Sequence, residues 1–215
     1  MSGPLAMSIP FAKTFAKLLS VPRPQPVAYA GDDFRVAVHS SGRLPREVES
    51  DANRDLIELC ASTGTYALID FDAAGFVFAK AYYQKYASVG GLVPGEQFPI
   101  TCKGWGVIDL GANPYTFGRT IAEQQESFAA RPMPARIATP SELFAAVLVF
   151  QQLYGIDILP SSETGMSVRA ADAMNDACHI AFSRSSYVGR PVLSACGGSR
   201  DARVGAIGVS MLSRP

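Results

Sequence analysis

The chain has 215 residues, of which 48% are hydrophobic and 18% charged, so it has enough apolar material for a core and lacks the composition of a disordered protein. Nineteen basic residues balance nineteen acidic ones without a basic run, which excludes a nucleic acid as an expected partner. The longest apolar run, Leu143 to Phe150, is too short to cross a bilayer, and the N-terminus lacks a signal-peptide pattern, so we expect neither membrane association nor Sec export.

The first 26 residues differ in character from the rest. Residues 11–20 carry apolar side chains at helical spacing and predict a short amphipathic helix. The three prolines within residues 22–26 cannot continue it, because proline lacks the amide donor that a helix interior needs. We therefore predict an N-terminal amphipathic helix and Pro-rich arm over residues 1–26, followed by a domain over residues 27–215.

Between Val27 and Leu110 the sequence predicts two β-hairpins on either side of a helix that Gly64 ends. The first hairpin would turn at residues 31–33 and the second at residues 73–75. The predicted elements are strands over 27–30 and 34–39, a helix over 45–62, and strands over 66–72, 76–83 and 104–110.

Two capping boxes predict helix starts in the second half of the chain. Thr120 with Glu123 opens a helix through about residue 130, and Thr139, followed by a proline and by Glu142, opens a buried helix over 140–154. The other predicted elements are a strand over 156–159, a helix over 167–177, and strands over 179–183, 192–195 and 204–212. Because hairpins and helices mix without regular alternation, we predict an α+β fold with a mixed, largely antiparallel sheet.

The four cysteines are widely spread and have neither a CxxC pair nor a zinc-finger spacing. This usage is typical of free thiols in a reducing compartment, so we predict a cytoplasmic protein. Two disulfides are the alternative.

Asp70 and Asp72 form the first group that could carry chemistry. On a strand, residues two apart share a face, so the two carboxylates would point the same way and hold a divalent cation as a possible cofactor. Asp109 and Asp157 also follow apolar runs, and their convergence with the first pair would complete a cation site. The alternative is that each Asp caps a turn.

Cys102 and His179 form the second group. A cysteine hydrolase needs a thiolate activated by a histidine that the fold brings close, and Lys103 beside Cys102 favours the thiolate. The alternative is a buried structural cysteine. The chain's other histidine, His39, is expected at the surface.

Gly197, Gly198, Ser199 and Arg200 form the third group. Consecutive glycines permit a nest of backbone amides that binds an anion, to which Ser199 adds a hydroxyl and Arg200 a bidentate guanidinium. A phosphate or carboxylate would fit such a site. The alternative is a hairpin whose glycines supply positive φ angles, with Arg200 in solvent.

The run Gly-Ser-Arg-Asp-x-Arg-Val-x-Ala over residues 198–206 resembles the C-terminal motif of an uncharacterised bacterial domain family of unknown function. Upstream, Asp109 at a strand end, Arg131-Pro132 and the helix capped by Thr139 follow a similar order. The resemblance covers the latter half of the chain and implies no activity.

These observations predict a binding protein or enzyme for a small anionic or phosphorylated molecule. The alternative is a non-catalytic interaction protein, either a homo-oligomer or an accessory subunit, that docks through residues 11–20. A hydrolase that uses Cys102 and His179 is the third hypothesis.

Overall fold

The computed structural model describes residues 28–40, 44–46, 48–74, 104–175, 178–185 and 191–212. The helices in these ranges are α1 (Gly31–His39), α2 (Asp51–Thr63), α3 (Phe71–Ala74), α4 (Ile121–Ala129) and α5 (Pro140–Tyr154). The strands are β1 (Ala28–Ala30), β2 (Tyr66–Asp70), β3 (Trp105–Asp109), β4 (Arg136–Ile137), β5 (Ser167–Asn175), β6 (Cys178–Arg184), β7 (Pro191–Gly197), β8 (Val204–Ala206) and β9 (Gly208–Met211).

The described strands form two sheets. The first has the order β1-β2-β3-β9-β4 and is antiparallel throughout. The second has the order β7-β6-β5-β8, in which only β5 and β8 run parallel. Ile207 separates β8 from β9 and thereby links the two sheets. The predicted single α+β domain with largely antiparallel strands is confirmed, with its strands divided between two sheets.

Helix α5 lies between the two sheets and supplies the centre of the core. All of its residues from Pro140 to Phe150 are buried, and they pack against apolar side chains of both sheets. The predicted capping box is present: the Glu142 amide donates to Thr139 Oγ1 at 3.3 Å, and the Thr139 amide donates to Glu142 Oε2 at 2.8 Å. Gly155 ends the helix with φ 66°, a conformation that glycine adopts without strain. This prediction is confirmed.

Helices α1 and α2 cover the other face of the first sheet. Their buried side chains, among them Phe34, Ile57 and Cys60, pack against Leu68 and Val107 of the sheet. Burial raises the pKa of the Cys60 thiol to about 12, an effect that Asp109 adds to and Arg131 opposes. The first sheet is thus covered on both faces, and the open surface belongs to the second sheet.

The hairpin predicted around residues 31–33 is wrong, because residues 31–39 form helix α1. Asp32 and Asp33 lie in its first turn, where a helix dipole favours negative charge, and the buried Phe34 and Ala37 are three residues apart. A hydrophobic run this short fits helical and strand periodicity alike.

The helix predicted over 167–177 is also wrong, because residues 167–175 form β5. This strand lies between β6 and β8, so both neighbours supply hydrogen bonds that override its helix propensity. The predicted strand over 204–212 is divided between β8 and β9, and residues 156–159 are irregular. The helix predicted from residue 45 begins at Asp51 instead.

None of the described helices is long and apolar enough to cross a membrane. The predicted helix over 11–20, the Pro-rich arm and the strand over 76–83 lie outside the described residues.

Candidate functional site

The second sheet has one apolar and one polar face. Side chains alternate along a strand, and Val168, Ile180 and Phe182 point toward α5 and the core. Arg169 pairs with Ala181, and both therefore point to the opposite face. On the same face Ser194 pairs with Ala181 and Cys196 pairs with His179. We call this surface, formed by Arg169, His179, Ala181, Ser194 and Cys196, the polar face.

Arg169 is the most unusual residue on the polar face, because it is a fully buried cation. Its Nη1 donates to Gln124 Oε1 at 3.1 Å, and its Nη2 donates to the carbonyl oxygens of Gly197 at 2.7 Å and Ser199 at 3.0 Å. Its Nε has no hydrogen-bond partner in the part of the chain that the structure describes. Among the described residues no carboxylate forms an ion pair with this guanidinium, so its hydrogen bonds go to neutral acceptors.

In residues 197–201, the glycine segment, four of the five carbonyl groups accept hydrogen bonds from the rest of the protein. Besides the two that accept from Arg169, the carbonyl of Gly198 accepts from the Ile121 amide at 3.3 Å and that of Asp201 from the Gly118 amide at 3.1 Å. Neither Gly197 nor Gly198 has a positive φ angle. A nest of amides needs a residue in that region, so this backbone geometry does not match the predicted nest.

A cleft of about 400 Å³, the polar cleft, lies beside the glycine segment. Its lining is rich in hydroxyl and guanidinium groups. Lining residues include Ser167, Ser194, Cys196, Ser199, Arg200 and Arg203. Arg200 also borders a neighbouring depression that contains Arg119 and Glu123. The structure thus brings Gly197, Ser199 and Arg200 to one cleft, with Gly198 beside it, and their ligand role stays a prediction.

Two carboxylates offset part of the positive charge around the polar cleft. Arg200 forms an ion pair with Glu123, whose pKa is lowered by hydrogen bonds from the Thr120 amide and from Arg200. Arg203 contacts Asp201 at 3.5 Å, and the Arg203 amide is the main cause of the lowered pKa of Asp201. Arg169 makes no ion pair among the described residues, but its charge also contributes to the lowered pKa of Asp201.

The predicted pair of Cys102 and His179 is only half described, because Cys102 lies outside the described residues. His179 is half-buried on β6, and its cross-strand neighbour is Cys196 on β7. Its Nε2 lies 3.6 Å from the position that a Cβ on Gly198 would take. Cys60 and Cys196, the cysteines whose side chains the structure describes, are thiols, as predicted. The role of Cys102 stays a prediction.

Asp70 and Asp72 do not share a strand, because β2 ends at Asp70 and Asp72 lies in α3. Asp72 Oδ2 accepts a hydrogen bond from the Gly104 amide at 2.8 Å. Asp109 pairs with Tyr66, at the other end of β2 from Asp70, about 13 Å away along the strand.

Asp109 and Asp157 have partners of their own. Asp109 forms a bidentate ion pair with Arg131 at 2.9 and 3.1 Å, and Asp157 contacts Arg184 at 2.9 Å. Within the described ranges, no three His, Cys, Asp or Glu side chains are grouped to hold a metal ion. The structure therefore does not bring the strand-end carboxylates together, and the metal role of Asp70 and Asp72 stays a prediction.

A second cleft, of about 410 Å³, has the Asp109 and Arg131 pair among its lining residues. Tyr66 also lines it, and burial raises the pKa of this phenol while Arg131 lowers it. Asp109 additionally accepts from the Gly208 amide at 3.0 Å, so its oxygens are already engaged. This cleft is lined by fewer charged residues than the polar cleft.

Sequence reasoning missed Arg169 and Cys196 as site residues. Arg169 was assigned to a helix, where a single arginine among alanines looks like a solvated residue. The available signal was a charged residue between Val168 and Ala170, the two buried neighbours that mark a strand with one apolar face. Cys196 directly precedes the glycines, and nothing in its local pattern singles it out.

Comparisons with models of protein families, with curated proteins and with solved structures find no match for this chain. The site is therefore interpreted from its own geometry.

Proposed function

We propose that the protein binds a small oxyanion, a phosphate or carboxylate group of a larger molecule, in the polar cleft. The observation that carries this proposal is the buried Arg169, whose guanidinium has only neutral partners among the described residues. Burying a charge without an ion-pair partner is costly, which makes a buried arginine beside a cleft a candidate functional residue.

Long-range electrostatics support the same proposal. Gly197 and Ser199, which hold Arg169 through their carbonyls, also line the polar cleft. The positive charge of Arg169 is therefore separated from the cleft only by the backbone of these two residues. Arg200 and Arg203 stand at the rim with side chains 69% and 71% exposed, so both can turn toward a ligand. Guanidinium groups bind phosphate and carboxylate through bidentate hydrogen bonds.

Hydroxyl groups complete the recognition chemistry. Ser167, Ser194 and Ser199 line the cleft and can each donate a hydrogen bond to an anionic oxygen. The side chains that line this cleft therefore offer both hydroxyl and guanidinium donors to an anion.

Thermal unfolding in inorganic phosphate, with sodium chloride replaced at constant ionic strength, tests the proposal. Phosphate should raise the melting temperature, since a ligand at one hundred times its Kd stabilises the native state by about 2.7 kcal/mol. Citrate in place of phosphate distinguishes a carboxylate from a phosphate ligand.

Exposed arginines provide matched variants. Arg200→Gln and Arg203→Gln should reduce the phosphate shift, whereas Arg54→Gln should not, because Arg54 is 63% exposed on α2, across the first sheet. Equal shifts in all three variants would show a general salt effect, and the absence of any anion shift would refute the proposal.

A further inference from the structure

The polar cleft contains a nucleophile next to a base. Cys196 lines the cleft and is half-buried, while His179 lies opposite it on the adjacent antiparallel strand. Directly opposed residues have Cβ atoms about 4.5–5.5 Å apart on the same face, which brings a thiol and an imidazole within reach of each other. A cysteine beside a histidine is the arrangement that activates thiols in cysteine enzymes.

Three guanidinium groups and one carboxylate lie around Cys196. Arg200, Arg203 and Asp201 line the same cleft, and Arg169 lies beneath the neighbouring Gly197. Positive charge near a thiol stabilises the thiolate, which is the nucleophilic species. Cys60, the other described thiol, is buried in the core and lies in the opposite kind of environment.

We propose that Cys196 is a nucleophilic thiol whose proton His179 accepts, and that it reacts with a carbon electrophile that carries an anionic group. The inference rests on the proposed function, because the anion site would hold the negative group of the electrophile. In the step, the proton moves from Sγ to the imidazole, sulfur forms a bond to the electrophilic carbon, and the leaving group departs with its electron pair.

Alkylation with iodoacetamide and iodoacetate tests this proposal, because the reagents differ mainly in charge. Each forms a sulfur–carbon bond and releases iodide. The rates are measured for each cysteine by peptide mass spectrometry, with glutathione as the reference thiol. Relative to glutathione, Cys196 should prefer iodoacetate over iodoacetamide by about fourfold, the effect of one unit charge about 5 Å away in water.

The two histidines of the chain give a matched pair of variants. His179→Gln should lower the rate at which iodoacetamide alkylates Cys196 roughly fivefold at pH 6, where an ordinary thiol is almost wholly protonated. His39→Gln should leave the rate unchanged, because His39 is exposed at the end of α1. Cys60 should stay unmodified in every folded variant, since its pKa is raised to about 12.

The two proposals fail in different ways. A Cys196 that reacts with iodoacetamide at the glutathione rate, or equally fast in His179→Gln with Cys60 still protected, would overturn the nucleophile while leaving a phosphate shift intact. Fast iodoacetamide modification without a phosphate shift or an iodoacetate preference would support the thiol and its histidine but overturn the anionic electrophile and the proposed function.

Discussion

Replacing Arg169 tests whether this buried cation stabilises the fold as well as the cleft. Methionine fills similar space but donates no hydrogen bonds, so Arg169→Met leaves Gln124 Oε1 and the carbonyls of Gly197 and Ser199 without their donor. A buried acceptor left unsatisfied costs about 1–3 kcal/mol, which applies fully to Gln124 Oε1 and in part to the two part-buried carbonyls, and removing the buried charge returns part of that sum. We expect a net loss of about 3 kcal/mol.

Urea unfolding measures this loss directly. In a domain of this size it corresponds to a fall of roughly 6–12 °C in melting temperature. The free energy of unfolding of Arg169→Lys should lie between those of Arg169→Met and the wild type, because one ammonium cannot match the hydrogen bonds of the planar guanidinium. Arg54→Met, at an exposed site, should change stability by less than about 0.5 kcal/mol.

A double-mutant cycle with Gln124→Leu identifies the interaction responsible. Gln124 is fully buried and also donates through Nε2 to the carbonyls of Thr116 at 2.8 Å and Val204 at 3.2 Å. Because the two side chains share a hydrogen bond, we expect a coupling energy of about 1 kcal/mol. An Arg169→Met protein as stable as the wild type, or a coupling energy of zero, would refute the argument that this network holds the glycine segment.

Three further substitutions test the core and the helix cap by urea unfolding. Asp109→Asn should cost about 3 kcal/mol, because its ion pair with Arg131 is largely buried and the guanidinium loses its counter-charge. Thr139→Ala should cost about 1 kcal/mol, since it removes the hydroxyl that caps α5. Gly208→Ala should cost about 1–3 kcal/mol, because the new Cβ would lie 2.6 Å from Phe128 Cε1.

Control variants distinguish these specific losses of stability from a nonspecific effect of substitution. Asp157→Asn breaks a half-exposed ion pair and should cost less than about 1 kcal/mol. Gly111→Ala adds a Cβ with no atom within 4 Å and should be nearly neutral. If either control destabilised the protein as much as its counterpart, burial or steric contact would not explain the losses.

Local chemistry was enough to predict the helix boundaries marked by capping boxes. The Thr120 and Thr139 boxes both form, and Gly64 and Gly155 end their helices with positive φ angles. These signals act within one turn of the chain, so the sequence carries them without help from the fold. The α+β class followed from the same elements.

Tertiary contacts decided the elements that the sequence pattern left ambiguous. Residues 167–175 are a strand because β6 and β8 flank them, and residues 31–39 are a helix because their apolar side chains pack on the first sheet. Hydrogen bonds between distant segments outweigh propensities worth a few tenths of a kcal/mol per residue.

The polar cleft shows the same division between local and long-range information. The sequence by itself determined that glycines, Ser199 and Arg200 stand together between two strands, and that Cys196 precedes them. Only the tertiary structure brought Arg169 beneath them and His179 beside Cys196, because strand pairing fixes which residues oppose one another. Register depends on the packing of a whole sheet face, and no short stretch of sequence encodes it.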